Sequence, residues 1–260
     1  MKRVITSLFL VPFALSVILL AGKWGVLAVV ALVASICFHE YRGIAAAYHG
    51  GRFGVWSFGA GVAFLAVPRE AWLLVTALAL VAVAVEARAV DLSQTLPRAA
   101  ALLLGIVYIF GPWKCALQLH AASPYWLLYA LAVSWTGDIS AYYSGRSFGR
   151  HKLAPRVSPA KSWEGAAASL VASVGFGFFF MGQFLPQVPG AERLALSAVA
   201  NVAGQVGDLA ESALKRGAGL KDSGSILPGH GGLLDRLDSS LFSLPAVYLY
   251  LQVVESAGRR

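Results

Sequence analysis

Charge is scarce in this sequence. Asp, Glu, Lys and Arg make up only 13% of its 260 residues, where a water-soluble domain carries about 25%. That deficit, with 58% apolar residues and a mean hydropathy of +0.68, excludes a soluble globular protein and marks a polytopic membrane protein. Cysteine is nearly absent as well. Cys37 and Cys115 both lie inside apolar runs, without CxxC or zinc spacing. They read as reduced thiols in a core rather than as a disulfide framework or a metal centre. No repeat of fixed period and no long hydrophilic domain occur.

What is present falls into apolar segments. Those at 5–21, 24–47, 54–67, 71–88, 98–120, 124–144, 163–186, 191–213 and 239–256 predict an all-α polytopic membrane fold. A span needs roughly 20 apolar residues, which gives about nine transmembrane helices, or about eight if the short, glycine-rich 54–67 segment merges with the next. Gly50-Gly51, Pro68, Pro97, Pro124 and Pro189-Gly190 punctuate the series. Met1–Ala21 reads as a retained first helix, because no small-x-small cleavage site precedes Lys23. Placing the N-terminus in the cytoplasm leaves most of the 21 Lys and Arg on the cytoplasmic side. The expected organisation is N-terminal membrane helices over 1–97, middle helices over 98–133 and a C-terminal catalytic membrane domain over 134–260. Two cytoplasmic loops, 145–162 and 217–238, interrupt the last of these.

With 13 Asp and Glu in the whole chain, each acid inside an apolar run carries information. Asp138 lies near the end of one run. Asp208, Glu211, Ser212 and Lys215 fall at i, i+3, i+4 and i+7, on one helix face. Asp235, Asp238 and Ser239 repeat the first part of that spacing. A carboxylate in the bilayer core costs about 3 kcal/mol on insertion scales. Such a group is therefore compensated by basic residues, by a proton or cation pathway, or by a metal. Carboxylates from two helices offer hard oxygen ligands of the kind Mg²⁺ takes. The candidate metal ligands are Asp208, Glu211, Asp235 and Asp238. His39-Glu40 has no second histidine in HExxH spacing and is assigned no chemistry.

The hydrophilic loops surround these acids. Arg146, Arg150, His151, Lys152, Arg156, Ser158 and Lys161 lie in a stretch shaped by Gly145, Gly149, Pro155 and Pro159. That stretch reads as positive-inside topology or as a clamp for phosphate-bearing substrates. Ser162, followed by Glu164, reads as the N-cap of the next helix. The second loop joins Gly217, Gly219, Gly224, Gly229, Gly231 and Gly232 to Lys221, Asp222, Ser223 and His230. Exposed N–H groups on such a loop can cradle phosphate. No GxxxxGK[ST] spacing makes it a Walker A motif.

The segment SALKRGAGLKDSGSILPGHGGLLDRLD, Ser212–Asp238, resembles the signature of the phosphatidate cytidylyltransferases, also called CDP-diacylglycerol synthases. Gly137–Gly165 is similar to a second conserved stretch of that family, although Ala160 stands where members commonly carry a basic residue. The resemblance implies CMP transfer from CTP to phosphatidate, giving CDP-diacylglycerol and pyrophosphate. It implies Mg²⁺, a second cation such as K⁺, a homodimer, and a cytoplasm-facing site in a bacterial inner membrane. Lipid bilayer and no nucleic acid are the expected surroundings. The catalytic candidates it implies are Asp208, Lys215, Arg216, Lys221, Asp222, Asp235 and Arg236. Arg146, Lys152, Arg156, Ser158, Lys161, Ser212, Ser223, His230, Gly231 and Gly232 are the substrate-binding candidates. A CTP-dependent polyprenol kinase, a cytidylyltransferase for another lipid, and an ion-coupled transporter using Asp138, Asp208 and Glu211 are the alternatives.

Overall fold

A computed structural model describes residues 12–49, 53–67, 72–87, 91–226 and 231–258. The start of the first expected span, the Gly50-Gly51 turn and His230 lie outside the described residues. After a helical stretch at 12–20, the elements are α1 (Lys23–His49), α2 (Trp56–Ala66), α3 (Trp72–Glu86), α4 (Thr95–Gly105), α5 (Gly111–Ala122), α6 (Pro124–Phe148), α7 (Trp163–Phe184), α8 (Gly190–Gly217) and α9 (Asp238–Gly258). The protein is an all-α membrane protein, with one small hairpin of β1 (Lys152–Ala154) and β2 (Ser158–Ser162). Among the described residues, Lys23–Tyr48, Leu92–Ala122 and Trp163–Phe184 are long and apolar enough to cross a membrane. The polar side chains on α6, α8 and α9 set those helices apart, and they are the chemically interesting ones.

Local sequence explains the boundaries. Pro124 opens α6 in the first turn, where its missing N–H costs nothing, and the Ser123 hydroxyl accepts from Tyr125 N at 3.3 Å. The expected cap at Ser162 forms: its Oγ accepts from Gly165 N at 3.1 Å. A five-residue π-helix, Ile106–Phe110, joins α4 to α5 just before Pro112. Pro112 cannot donate back along the helix, and the wider turn accommodates that loss. At the far end of α8, Leu220 N donates to Lys215 O at 2.8 Å and Gly219 N to Arg216 O at 3.0 Å. Gly219 has φ of +70°. This is a Schellman ending, in which the left-handed residue satisfies the last carbonyls and turns the chain sharply into the loop.

α6, α7, α8 and α9 pack most extensively on one another. A polar seam runs through their contacts. Asn201 Nδ2 donates to Ser169 Oγ and Ser173 Oγ, each at 2.9 Å, and Gln205 Nε2 to Asn201 Oδ1 at 2.7 Å. Ser173 Oγ continues to Val133 O at 2.8 Å, and Ser134 Oγ reaches Ser243 Oγ at 2.8 Å. Lipid tails are as apolar as leucine, so close packing of small residues and interhelical hydrogen bonds hold such helices together.

Replacing Gly219 by Ala forces an L side chain into the left-handed region and should destabilise the protein by about 1–2 kcal/mol. The thermal midpoint in detergent measures this. Gly219→Asn should cost clearly less, since Asn tolerates that conformation.

Candidate active site

The face predicted for α8 forms. Lys215 is its centre: Nζ lies 3.0 Å from Glu211 Oε1 one turn earlier and 2.5 Å from Asp235 Oδ1 beyond the loop. Glu211 is fully buried, and Lys215 keeps only 10% of its side chain exposed. Asp235 accepts further bonds from Ser223 N, 3.0 Å from both oxygens, and from Gly232 N at 2.8 Å. Burial alone would raise the Asp235 carboxyl. Lys215 and the Gly232 and Ser223 amides outweigh it and hold the group below its ordinary value. Asp235 is therefore an ionised anchor that ties both ends of the glycine-rich loop to α8.

A second set of acids lies alongside. Asp208 Oδ2 pairs with Lys161 Nζ at 2.5 Å, and its Oδ1 is 3.4 Å from Ser212 Oγ. Ser239 Oγ donates to Asp138 Oδ1 at 3.2 Å, and Asp238 begins α9 with Ser239 N 2.7 Å from its Oδ1. Asp238 feels the charges of Asp208, Glu211 and Asp138. Asp138 and Asp208 remain accessible while Glu211 and Asp238 are buried. Carboxylates from α6, α8 and α9 thus share one region, which Lys161 of β2 touches at Asp208.

The basic stretch expected as a loop shaped by glycine and proline is an antiparallel hairpin, with Lys152 opposite Ser162 and Ala154 opposite Ser158. Pro155 and Arg156 lie in its turn. Its base is fixed to the N-terminus of α7: Glu164 accepts from Arg150 N at 3.2 Å and His151 N at 3.2 Å, and pairs with His151 Nδ1 at 2.6 Å. Its turn is fixed to the end of α8, where Arg216 Nε donates to Val157 O at 3.3 Å. Lys152 and Arg156 remain exposed, as do Lys221 and Asp222 on the second loop. Ser158 is half-buried at the start of β2, and Arg146 donates to Tyr142 Oη at 3.2 Å. Arg236 is exposed and acts electrostatically on Asp138. Gly231 and Gly232 border Asp235.

The donors around this region are carboxylate oxygens, the ligand chemistry of a hard dication such as Mg²⁺. The expected ligands are not gathered on one point, however. Among the described residues, no group of three or more His, Cys, Asp and Glu side chains is placed to hold a metal. Lys161 pairs with Asp208, and Lys215 with Glu211 and Asp235. Sequence reasoning also passed over Glu40. It lies on α1, is only 3% exposed, and accepts from Ser223 Oγ, Leu233 N and Leu234 N. The signal was available, for Glu40 is the one acid in the largely apolar α1.

A profile of the cytidylyltransferase family matches residues 1–254, and the chain belongs to that family. It is 40% identical over 158 residues to a phosphatidate cytidylyltransferase of Haemophilus influenzae, covering 57% of this chain and 55% of the relative. It is 39% identical over 153 residues to one of Bacillus subtilis, covering 58% and 57%, and 43% identical over 125 residues to one of Brucella abortus, covering 48% and 46%. The chain thus spans about half the length of the curated relatives it matches.

Lys215→Met leaves Glu211 and Asp235 without their shared cation. Breaking a buried pair from one side should cost about 3–5 kcal/mol. Thermal unfolding in detergent should show the drop, and adding Glu211→Gln to Lys215→Met should recover a large part of it.

Proposed function

We propose that this member of the cytidylyltransferase family transfers CMP from CTP to phosphatidate, forming CDP-diacylglycerol and pyrophosphate. The relatives' activity supports this reading. The observation that carries it is the arrangement of the acids of α6, α8 and α9 with Lys215 and with Lys161 of the basic hairpin. That arrangement suits anionic reactants at the edge of a bilayer, where acyl chains stay in lipid and the headgroup meets a water-borne nucleotide.

The reaction joins two anions. A phosphatidate phosphate oxygen attacks the α-phosphorus of CTP, and pyrophosphate leaves in line. The nucleophile is already ionised, so no strong general base is required. Rate enhancement comes from alignment and from charge neutralisation. Lys152, Arg156 and Lys221 are exposed cations that would draw phosphates in, and Arg146, Arg216 and Arg236 offer bidentate contacts. Lys161 and Lys215, less exposed, offer point charges beside the acids. The glycine-rich loop offers backbone N–H groups, with Ser212 as a hydroxyl donor; Ser223, whose hydroxyl donates to Glu40, would serve by placing that loop. For Asp208, Glu211, Asp235 and Asp238 to hold Mg²⁺, Lys161 and Lys215 would have to release the carboxylates they pair with; the ion would then supply neutralising charge for the phosphates. A second cation such as K⁺ would share the acidic region. The reading includes a cytoplasmic N-terminus, about nine spans, a site facing the cytoplasm of a bacterial inner membrane, and a homodimer.

The test is an assay of purified protein in mixed micelles with radiolabelled CTP and phosphatidate. CDP-diacylglycerol and pyrophosphate should form in equal amounts, EDTA should stop turnover and Mg²⁺ should restore it. Release of CDP with a phosphorylated polyprenol, and no reaction with phosphatidate, would overturn the reading. Asp208→Asn should lower kcat by about 10²-fold or more while the fold is kept, read from steady-state kinetics beside the circular dichroism spectrum.

A further inference from the structure

Glu40 is the buried acid that the mechanism above does not use. Its carboxylate reaches across from α1 to a segment nearly two hundred residues further along the chain. Oε1 accepts from Leu233 N at 3.0 Å. Oε2 accepts from Leu234 N at 2.7 Å and from Ser223 Oγ at 3.2 Å. Leu234 opens the short 3₁₀ helix Leu234–Arg236, so Glu40 satisfies N–H groups at its start that no residue of the helix itself can. An ionised acceptor makes each of these bonds stronger than a neutral one would.

A separate observation shows that the loop is shaped around this carboxylate. A Cβ on Gly224 would fall 2.7 Å from Glu40 Oε1, and one on Gly232 would fall 2.6 Å from Oε2. Both are closer than packed atoms approach, so a side chain at either position would displace the contact. Ser223 and Gly232 are also the residues whose amides hold Asp235. The same pieces of backbone are therefore gripped from two sides, by Glu40 on one and by Asp235 with Lys215 on the other. Further along α1, Tyr48 Oη donates to Leu214 O at 2.7 Å, so this helix holds the end of α8 as well.

We propose that Glu40 is a positioning residue for the transfer site: by fixing residues 223–224 and 232–234 it holds Asp235 against Lys215. This rests on the cytidylyl-transfer reading for its kinetic consequence, though not for the anchoring itself. Glu40 touches no reacting atom. Its influence passes through the loop backbone, where misplacement by about 1 Å can cost on the order of 10²-fold in rate.

Glu40→Gln in the full-length protein is the test. The shape is preserved, but whichever way the amide turns, its NH₂ meets a backbone N–H. Two readouts are taken together: steady-state kinetics with CTP and phosphatidate, and hydrogen–deuterium exchange followed peptide by peptide. The expected result is a fall in kcat of about 10- to 100-fold with KM for CTP changed by no more than about threefold. Exchange should accelerate in peptides containing Leu233 and Leu234 and stay at the wild-type rate in α6 and α8. Wild-type kcat with wild-type exchange at those amides would overturn the proposal. So would exchange that rises equally through α6 and α8, since that marks a loss of general stability. Wild-type protein that makes no CDP-diacylglycerol would overturn the reaction instead, and the exchange rates at Leu233 and Leu234 would then decide the anchoring alone.

Discussion

One ammonium group, that of Lys215, lies between two carboxylates from different parts of the chain. Glu211 has no exposed surface and Asp235 very little. Either acid alone in that setting would be expensive, because desolvation of a buried charge costs several kcal/mol. The shared lysine makes the pair tolerable, and it also sets where the loop can go. Asp235 must come to Lys215, and Asp235 carries Ser223 and Gly232 with it through their amides. The end of α8, both ends of the glycine-rich loop and the start of α9 are thereby brought to one place. The Schellman ending at Gly219 supplies the sharp exit from α8 that such a return requires.

The helices were legible because their signals are local. Apolar runs, Pro124, Ser162, and the glycines after Arg216 each mark a boundary within a few residues of the chain. The common face of Asp208, Glu211 and Lys215 was legible for the same reason, since helical spacing alone defines it. What each acid pairs with was not. Lys161 reaches Asp208 across 47 positions and Lys215 reaches Asp235 across the loop, and no period in the sequence encodes either meeting. The hairpin was hidden because its strands are too short to show an alternating pattern, and their pairing shifts register between Lys152 and Ala154. Glu40 was dismissed because it was judged by its immediate neighbour His39, while its partners are Ser223, Leu233 and Leu234.

Polar groups recur wherever the last four helices meet. The Asn201 network and the Ser134–Ser243 contact are hydrogen bonds placed where a soluble protein would use larger apolar side chains. Gly137 faces that network so closely that a Cβ would strike the Asn201 amide. Close approach and polar contact are thus coupled. They give the bundle a rigid frame from which Asp138, Asp208 and Asp238 project.

The reach of Glu40 also bears on how the protein is made. Chains emerge from the ribosome N-terminus first, so α1 enters the bilayer long before Leu233 and Leu234 exist. Until then its carboxylate has none of these donors, and it must be tolerated by water, by neighbouring headgroups or by protonation. The contact that closes the site is among the last that synthesis permits. A chain that stops before residue 223 would therefore lack both α9 and the clasp between its first half and its last.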